Sequence, residues 1–123
     1  MKYLCLIYTE EATFRQAMSP ADEAAMMAEY GAFSASIQKS GHFLAGNRLE
    51  PSTAAVTIRI RDGKTSTTDG PFAETKEALG GFYMIDARDL NEAIQVASRI
   101  PGAKVGSIEV RPIAYTTPPA SGG

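Results

Sequence analysis

Side chains suited to moving protons near neutral pH are scarce in this 123-residue chain, which has one histidine, His42, and one cysteine, Cys5. Imidazole is the side chain whose ordinary pKa lies closest to 7. His42 directly follows Gly41, a natural helix stop, where the negative end of a helix dipole favours the charged ring. Asp69 opens the run Asp69-Gly70-Pro71-Phe72, whose glycine and proline break strand alternation and mark a loop. A carboxylate accepting from one ring nitrogen fixes the tautomer and raises the basicity of the other. Brought together, His42 and Asp69 would therefore form a general acid/base pair. Spacing alone leaves a plainer reading open, in which His42 is a surface or capping histidine and Asp69 an Asx-turn residue.

Around that pair stand residues of the kinds a small-molecule site uses. Arg48 is placed to reach an anionic group, or equally to lie exposed with its stem along a sheet. Glu74 and Lys76 either orient a ligand beside Asp69 or share a solvated turn with Glu77, and Phe72, Phe82 and Tyr83 supply apolar walls. Glu109 and Arg111 fall at i, i+2 on one face of the last strand, lining a cleft or pairing across a dimer contact. One histidine, one cysteine and scattered acids give no zinc-type spacing, so no metal is expected, although Asp69 and Glu74 leave a hard cation open. Gly80-Gly81 falls at or within a strand rather than between a strand and a helix, so no phosphate or dinucleotide cradle is expected either. Cofactor-free chemistry is the expectation.

The elements that must position these residues alternate in type. Lys2 to Tyr8 (KYLCLIY) is apolar on both alternating faces, as in a central strand covered on each side. Ser19-Pro20 with Asp22 and Glu23 is a helix start, and Met26, Tyr30, Phe33 and Ile37 form one apolar stripe ending at Gly41. His42 to Leu49 reads as a short strand broken at Gly46. Val56, Ile58 and Ile60 alternate with polar residues up to Asp62-Gly63, a hairpin dipeptide, and Lys64 to Thr68 returns antiparallel. Asp69 to Ala78 is a loop with room for one helical turn, and Leu79 to Asp86 is a strand. Asp89 and Glu92 have capping-box spacing for a second helix that buries Leu90, Ala93, Ile94 and Ala97 and stops at Pro101-Gly102. Ser107 to Ile113 is the last strand.

This order predicts an α+β, ferredoxin-like βαββαβ domain enlarged by one β-hairpin, with two helices on one face of an antiparallel sheet. Two helices cover only one face. A first strand apolar on both sides therefore implies that the other face packs on a second copy, as a homodimer. With 44% apolar and 21% charged residues the composition is that of one globular domain, assigned to residues 1–115, followed by a flexible tail over 116–123 (TPPASGG after Thr116). A net charge of −2 and only a small basic group, Arg59, Arg61 and Lys64, argue against a nucleic-acid partner. No apolar run approaches the roughly 20 residues of a membrane span, and no leader is evident, so a cytoplasmic protein without a membrane partner is expected. Cys5, within an apolar run, is expected to be a buried, inert thiol.

The run Asp69-Gly70-Pro71-Phe72-Ala73-Glu74-Thr75-Lys76-Glu77, with Leu79-Gly80-Gly81-Phe82-Tyr83 and Ile108-Glu109-Val110-Arg111-Pro112-Ile113, resembles the YCII-related family in its DGPF-containing branch. The likeness extends from Met1-Lys2-Tyr3-Leu4 to about Ala114. It implies a ferredoxin-like subunit of a dimeric α/β barrel whose cleft holds a histidine and an aspartate as an acid/base pair. The family histidine corresponds to His42 within Gly41-His42 and Ala45-Gly46, and the aspartate to Asp69. The implied function is lyase- or isomerase-like proton transfer on a small organic molecule. The alternative is a non-catalytic dimeric ligand-binding or regulatory module, linked in this branch to an alternative sigma factor.

Overall fold

The computed structural model describes residues 1–13 and 18–114, so the tail assigned from Thr116 onward lies outside the described residues. Eight principal elements follow one another: β1 (Lys2–Thr9), α1 (Pro20–Lys39), β2 (Phe43–Arg48), β3 (Val56–Arg61), β4 (Lys64–Asp69), β5 (Ala78–Asp86), α2 (Leu90–Ala97) and β6 (Ser107–Pro112). Four strands form one antiparallel sheet in the order β2-β5-β1-β6, and β3 and β4 form a separate two-stranded sheet. Without the hairpin this is the ferredoxin-like plan expected from the element order.

Alternation along β1 divides the sheet into two faces. Tyr3, Cys5, Ile7 and Thr9 are buried on the helix side, and Leu4, Leu6 and Tyr8 are half-buried on the other. The core joins Tyr3, Cys5, Ile7, Tyr83 and Ile85 of the sheet to Phe33 and Ile37 of α1 and Ala93, Val96 and Ala97 of α2. Phe33 meets Tyr83 edge-on at 5.1 Å between ring centroids. Cys5 is fully buried, and desolvation pushes its thiol up to about 11, the inert state expected.

Helix boundaries follow local chemistry. The Ser19 hydroxyl accepts from the Asp22 N–H at 3.1 Å, Pro20 takes the first turn, and Gly41 at φ +83° ends the helix. In α2 the Asp89 carboxylate accepts from the Glu92 N–H at 2.9 Å. The reciprocal half of the capping box is displaced by one residue, because Glu92 accepts from the Arg88 N–H at 3.1 Å. Leu90 and Ile94, expected to be buried, are exposed. The small side chains Ala93 and Ala97, with Val96, let this short helix sit close on the sheet, which swings Leu90 and Ile94 to its flank.

Two strand expectations also need correction. Gly46 does not break β2; the irregularity lies at Leu44, between Phe43 and Ala45. Gly46 stays in the strand because Tyr83 lies where its Cβ would be, 2.7 Å from the ring. The loop after Asp69 contains bends but no helical turn. The hairpin turn is as read: Asp62 at φ 52° and Gly63 at φ 74° both take the left-handed conformation of a type I′ turn. Glu11 secures the base of the hairpin by accepting from the Ser52 N–H at 2.8 Å and from the Ser52 hydroxyl.

Candidate functional site: a cavity beneath the first helix

The inward register of β2 and β5 places glycine where a strand ordinarily supplies a core side chain. Gly46 pairs with Tyr83, and Arg48 pairs with Gly81, on the face turned toward α1. Gly46 makes room for the Tyr83 ring and Gly81 for the backbone of Asn47, and a cavity of about 480 Å³ lies between α1 and this edge of the sheet, with open space over Gly31 of the helix. That volume lies within the range of small-molecule sites. Ile7, Met26, Met27 and Phe43 give it apolar walls, and Thr9, Ser34, Gln38, Asn47 and Arg48 contribute polar groups.

Two phenols and a hydroxyl are among the groups at its surface. Ser34 Oγ and Tyr83 Oη lie 2.7 Å apart, either able to donate. Tyr30 Oη accepts from the Gly102 N–H at 3.1 Å, so its own proton is left to donate. Burial pushes the Tyr30 phenol above its ordinary value of 10.0, partly offset by the Gly102 hydrogen bond and by Arg48, so it is a neutral donor at physiological pH. Arg48 reaches back along the helix, with Nη1 3.5 Å from Met27 Sδ and 3.9 Å from Glu23 Oε1.

His42 belongs to a different cluster. Its Nδ1 is 2.6 Å from Ser40 Oγ and its Nε2 is 3.2 Å from Glu92 Oε1. Glu92 Oε2 also accepts from Arg88 Nε at 2.5 Å, and the two hydrogen bonds from Arg88, then that from His42, hold its carboxyl below the usual range. A ring carrying its proton on Nε2 donates to Glu92 and accepts from Ser40. A doubly protonated ring donates to both, and the Ser40 proton then goes to the Ile37 carbonyl at 3.2 Å. The order Ser40, His42, Glu92 resembles that of a nucleophilic triad. It differs in lying outside the cavity and in spending its carboxylate on Arg88.

Asp69 is not brought to His42 within one chain. His42 precedes β2, and its carbonyl accepts from the Asp86 N–H. Asp69 ends β4 beyond the other end of β2, where the Gly70 N–H donates to the Ala55 carbonyl. The His42 ring nitrogens have Ser40 and Glu92 as partners, and Asp69 belongs to the separate two-stranded sheet. Asp69 is exposed and pairs across the hairpin with Val56.

The remaining candidates divide similarly. Arg48, Phe82 and Tyr83 line the cavity. Phe72 is 80% exposed, and Glu74 and Lys76 are exposed in the same loop, with Lys76 Nζ 3.8 Å from Glu10. Arg111 lies opposite Leu4 on the open face of the sheet and pairs with Glu109. Sequence reasoning missed Tyr30, Ser34, Gln38 and Asn47 as lining residues. The available signal was the number of glycines, Gly31, Gly46, Gly80 and Gly81, among the residues that line the cavity. No group of three or more His, Cys, Asp or Glu residues suited to a metal occurs among the described residues. Nor is any helix among them long and apolar enough to cross a membrane.

Fold and cavity together define a small ferredoxin-like α+β domain with a ligand-sized cleft between its first helix and its sheet. The chain belongs to the YCII-related domain family, whose model matches residues 1–116. It is 40% identical over 120 residues to the uncharacterized protein R00369 of Rhizobium meliloti (strain 1021), with 96% of each chain covered. Its structure is remotely similar to that of 5-chloro-2-hydroxyhydroquinone dehydrochlorinase from Burkholderia phenoliruptrix AC1100. That comparison covers 94% of this chain and 96% of the other, at 13% identity and a TM-score of 0.48.

Proposed function

We propose that this protein binds a small organic molecule in the cavity beneath α1 and acts on it by proton transfer, in a reaction that invokes no cofactor. The observation that carries the reading is the cavity itself: about 480 Å³, apolar in its walls, with the Ser34–Tyr83 hydroxyl pair and the Tyr30 phenol at its surface. Such an arrangement holds an apolar body while offering hydrogen bonds to a carbonyl or phenolic oxygen. His42 serves as a proton acceptor only for a ligand that extends past Phe43, and Asp69 only if a second copy carries it there. A dimeric binding module without chemistry is the second reading. It is favoured by the engagement of both His42 ring nitrogens and by the lack of any carboxylate or imidazole among the described residues that line the cavity.

The experiment separates the two directly. Small phenols and carbonyl compounds that bind are incubated with the protein in D2O, and exchange of their acidic C–H positions is followed by NMR. Exchange lost in Tyr83→Phe or His42→Ala supports the enzyme and identifies its base. Binding without exchange, in every ligand, supports the module.

The half-buried row Leu4, Leu6, Tyr8 and Met84 on the face opposite the helices supports a homodimer built on that face. Sedimentation of the native protein and of Leu6→Lys is the test, with a dimer expected in the first and a monomer in the second.

A further inference from the structure

We infer that the molecule bound beneath α1 is a small monoanion with a flat apolar body, such as an aromatic carboxylate, its charge held by Arg48. This rests on the cavity being the ligand site, as proposed above, and goes further by assigning the charge and the orientation of what enters. Among the described residues that line the cavity, Arg48 is the only charged one. A guanidinium offers five N–H donors in a planar fork that suits a carboxylate. Here Nη1 alone is engaged among the described residues, by a thioether sulfur at 3.5 Å and by a carboxylate 3.9 Å away, with Arg48 and Glu23 both more than half exposed. Neither contact is strong, because sulfur is a weak acceptor and an exposed pair at that distance is largely screened. The guanidinium therefore meets an incoming carboxylate with most of its donors unspent.

Orientation follows from the strand register. Arg48 stands opposite Gly81, and Gly46 opposite Tyr83, so the cation and the phenol lie two residues apart along the inward face of β2 and β5. Their side-chain ends lie farther apart, the guanidinium at Met27 and the phenol hydroxyl at Ser34, about 10 Å along α1, which spans a substituted benzene ring with a hydrogen bond at each end. A carboxylate on Arg48 directs the opposite end of the ring toward Tyr83 and Ser34, where a hydroxyl or carbonyl substituent would find hydrogen-bonding partners 2.7 Å apart. Met26, Met27 and Phe43 border the path between. A cationic ligand would meet Arg48 in the lining, with the nearby carboxylate of Glu23 already 3.9 Å from that guanidinium.

The test uses benzoate, benzamide and benzylamine as probes, with native protein and the Arg48→Gln and Arg48→Lys variants, all labelled at the methionine methyls. Methyl shifts report the location and titrations report the affinity. The expected result is that benzoate moves the Met26 and Met27 methyls and binds at least about tenfold more tightly than benzamide, while benzylamine is rejected. Arg48→Gln should abolish the preference by weakening benzoate at least about tenfold more than benzamide, and Arg48→Lys should restore part of it. A tenfold change corresponds to one charge-assisted hydrogen bond lost. Equal binding of benzoate and benzamide, indifferent to Arg48→Gln, overturns the anion assignment while the cavity survives as the ligand site. Benzoate binding that leaves the Met26 and Met27 methyls unmoved, or binding by none of the three, overturns the cavity reading and the anion assignment with it.

Discussion

Two polar clusters flank β2, and they are built in opposite ways. Ser40, His42, Glu92 and Arg88 close on one another near the surface, each ionisable group spent on a neighbour. Tyr30, Ser34, Tyr83 and Arg48 surround an empty volume and keep donors to spare. The first has the residues that suggest catalysis, and the second has the space. A reactive side chain needs room for a substrate beside it, and on this backbone that room lies between α1 and the sheet edge, away from the histidine.

The glycines at the two clusters give the largest expected effects. In Gly46→Ala the new Cβ falls 2.7 Å from Tyr83 Cδ1 and 3.3 Å from the Phe82 carbonyl, so the buried ring must move. Overpacking of this kind costs about 1–3 kcal/mol, and the displaced Tyr83 loses Ser34. Gly41→Ala has open space around its Cβ but a φ of +83°, which costs about 1 kcal/mol through backbone conformation alone. Urea denaturation should rank Gly46→Ala as the less stable, and only Gly46→Ala should abolish ligand binding. Loss of binding in Gly41→Ala instead would move the site to the histidine cluster.

Tyr83→Phe keeps the ring that packs against Phe33 and removes only the hydroxyl. Ser34 is half-buried and can turn to solvent, so the expected loss is about 1 kcal/mol, one ordinary hydrogen bond. Proton exchange of a bound ligand should fall much further than stability does. Equal exchange in the variant would remove Tyr83 from the chemistry and leave it as a wall.

Glu92 tests the other cluster through pH. Its carboxyl is held low by Arg88 first and His42 after, so the folded pKa lies below the ordinary 4.5. Stability from these contacts is complete above the unfolded value and is lost as pH falls through the folded one. The native protein should therefore lose more stability than Glu92→Gln when the pH is lowered below about 4.5. The two should run parallel at higher pH. Parallel curves throughout would mean that the His42–Glu92–Arg88 contacts contribute nothing in solution.

Much of this architecture is legible in the residues, for identifiable reasons. Strand β1, the Ser19-Pro20 start of α1, the Gly41 stop and the Asp62-Gly63 turn each depend on local periodicity or on one residue's backbone preference, and each is found as read. Leu90 and Ile94 were misassigned because an eight-residue helix allows several buried stripes, and the sheet beneath it selects one. The cavity escaped because it lies between elements, and its lining residues from α1, β2 and β5 come together only when the helix packs on the paired strands. His42 was visible as a rare residue type. That it would face Glu92 rather than Asp69 depends on where the start of α2 meets the end of α1, which no linear spacing encodes.

The smallest expected effect is the one that bears most on the histidine and aspartate as a pair. Asp69 is exposed at the end of β4, and no hydrogen bond to its side chain occurs among the described residues. Asp69→Asn should therefore change stability by no more than about 0.5 kcal/mol. Within one chain it should also leave the His42 ring resonances where they are at a fixed pH, whereas Glu92→Gln should move them, because only Glu92 lies within hydrogen-bond distance. The reverse pattern would require Asp69 to reach His42 from another molecule. The hairpin, a sheet of its own with Val56, Ile58 and Ile60 exposed on the same face as Asp69, is a surface through which another copy could make that contact. Dilution would then decide the matter, since a contact between copies fades as the dimer dissociates and one within a chain does not.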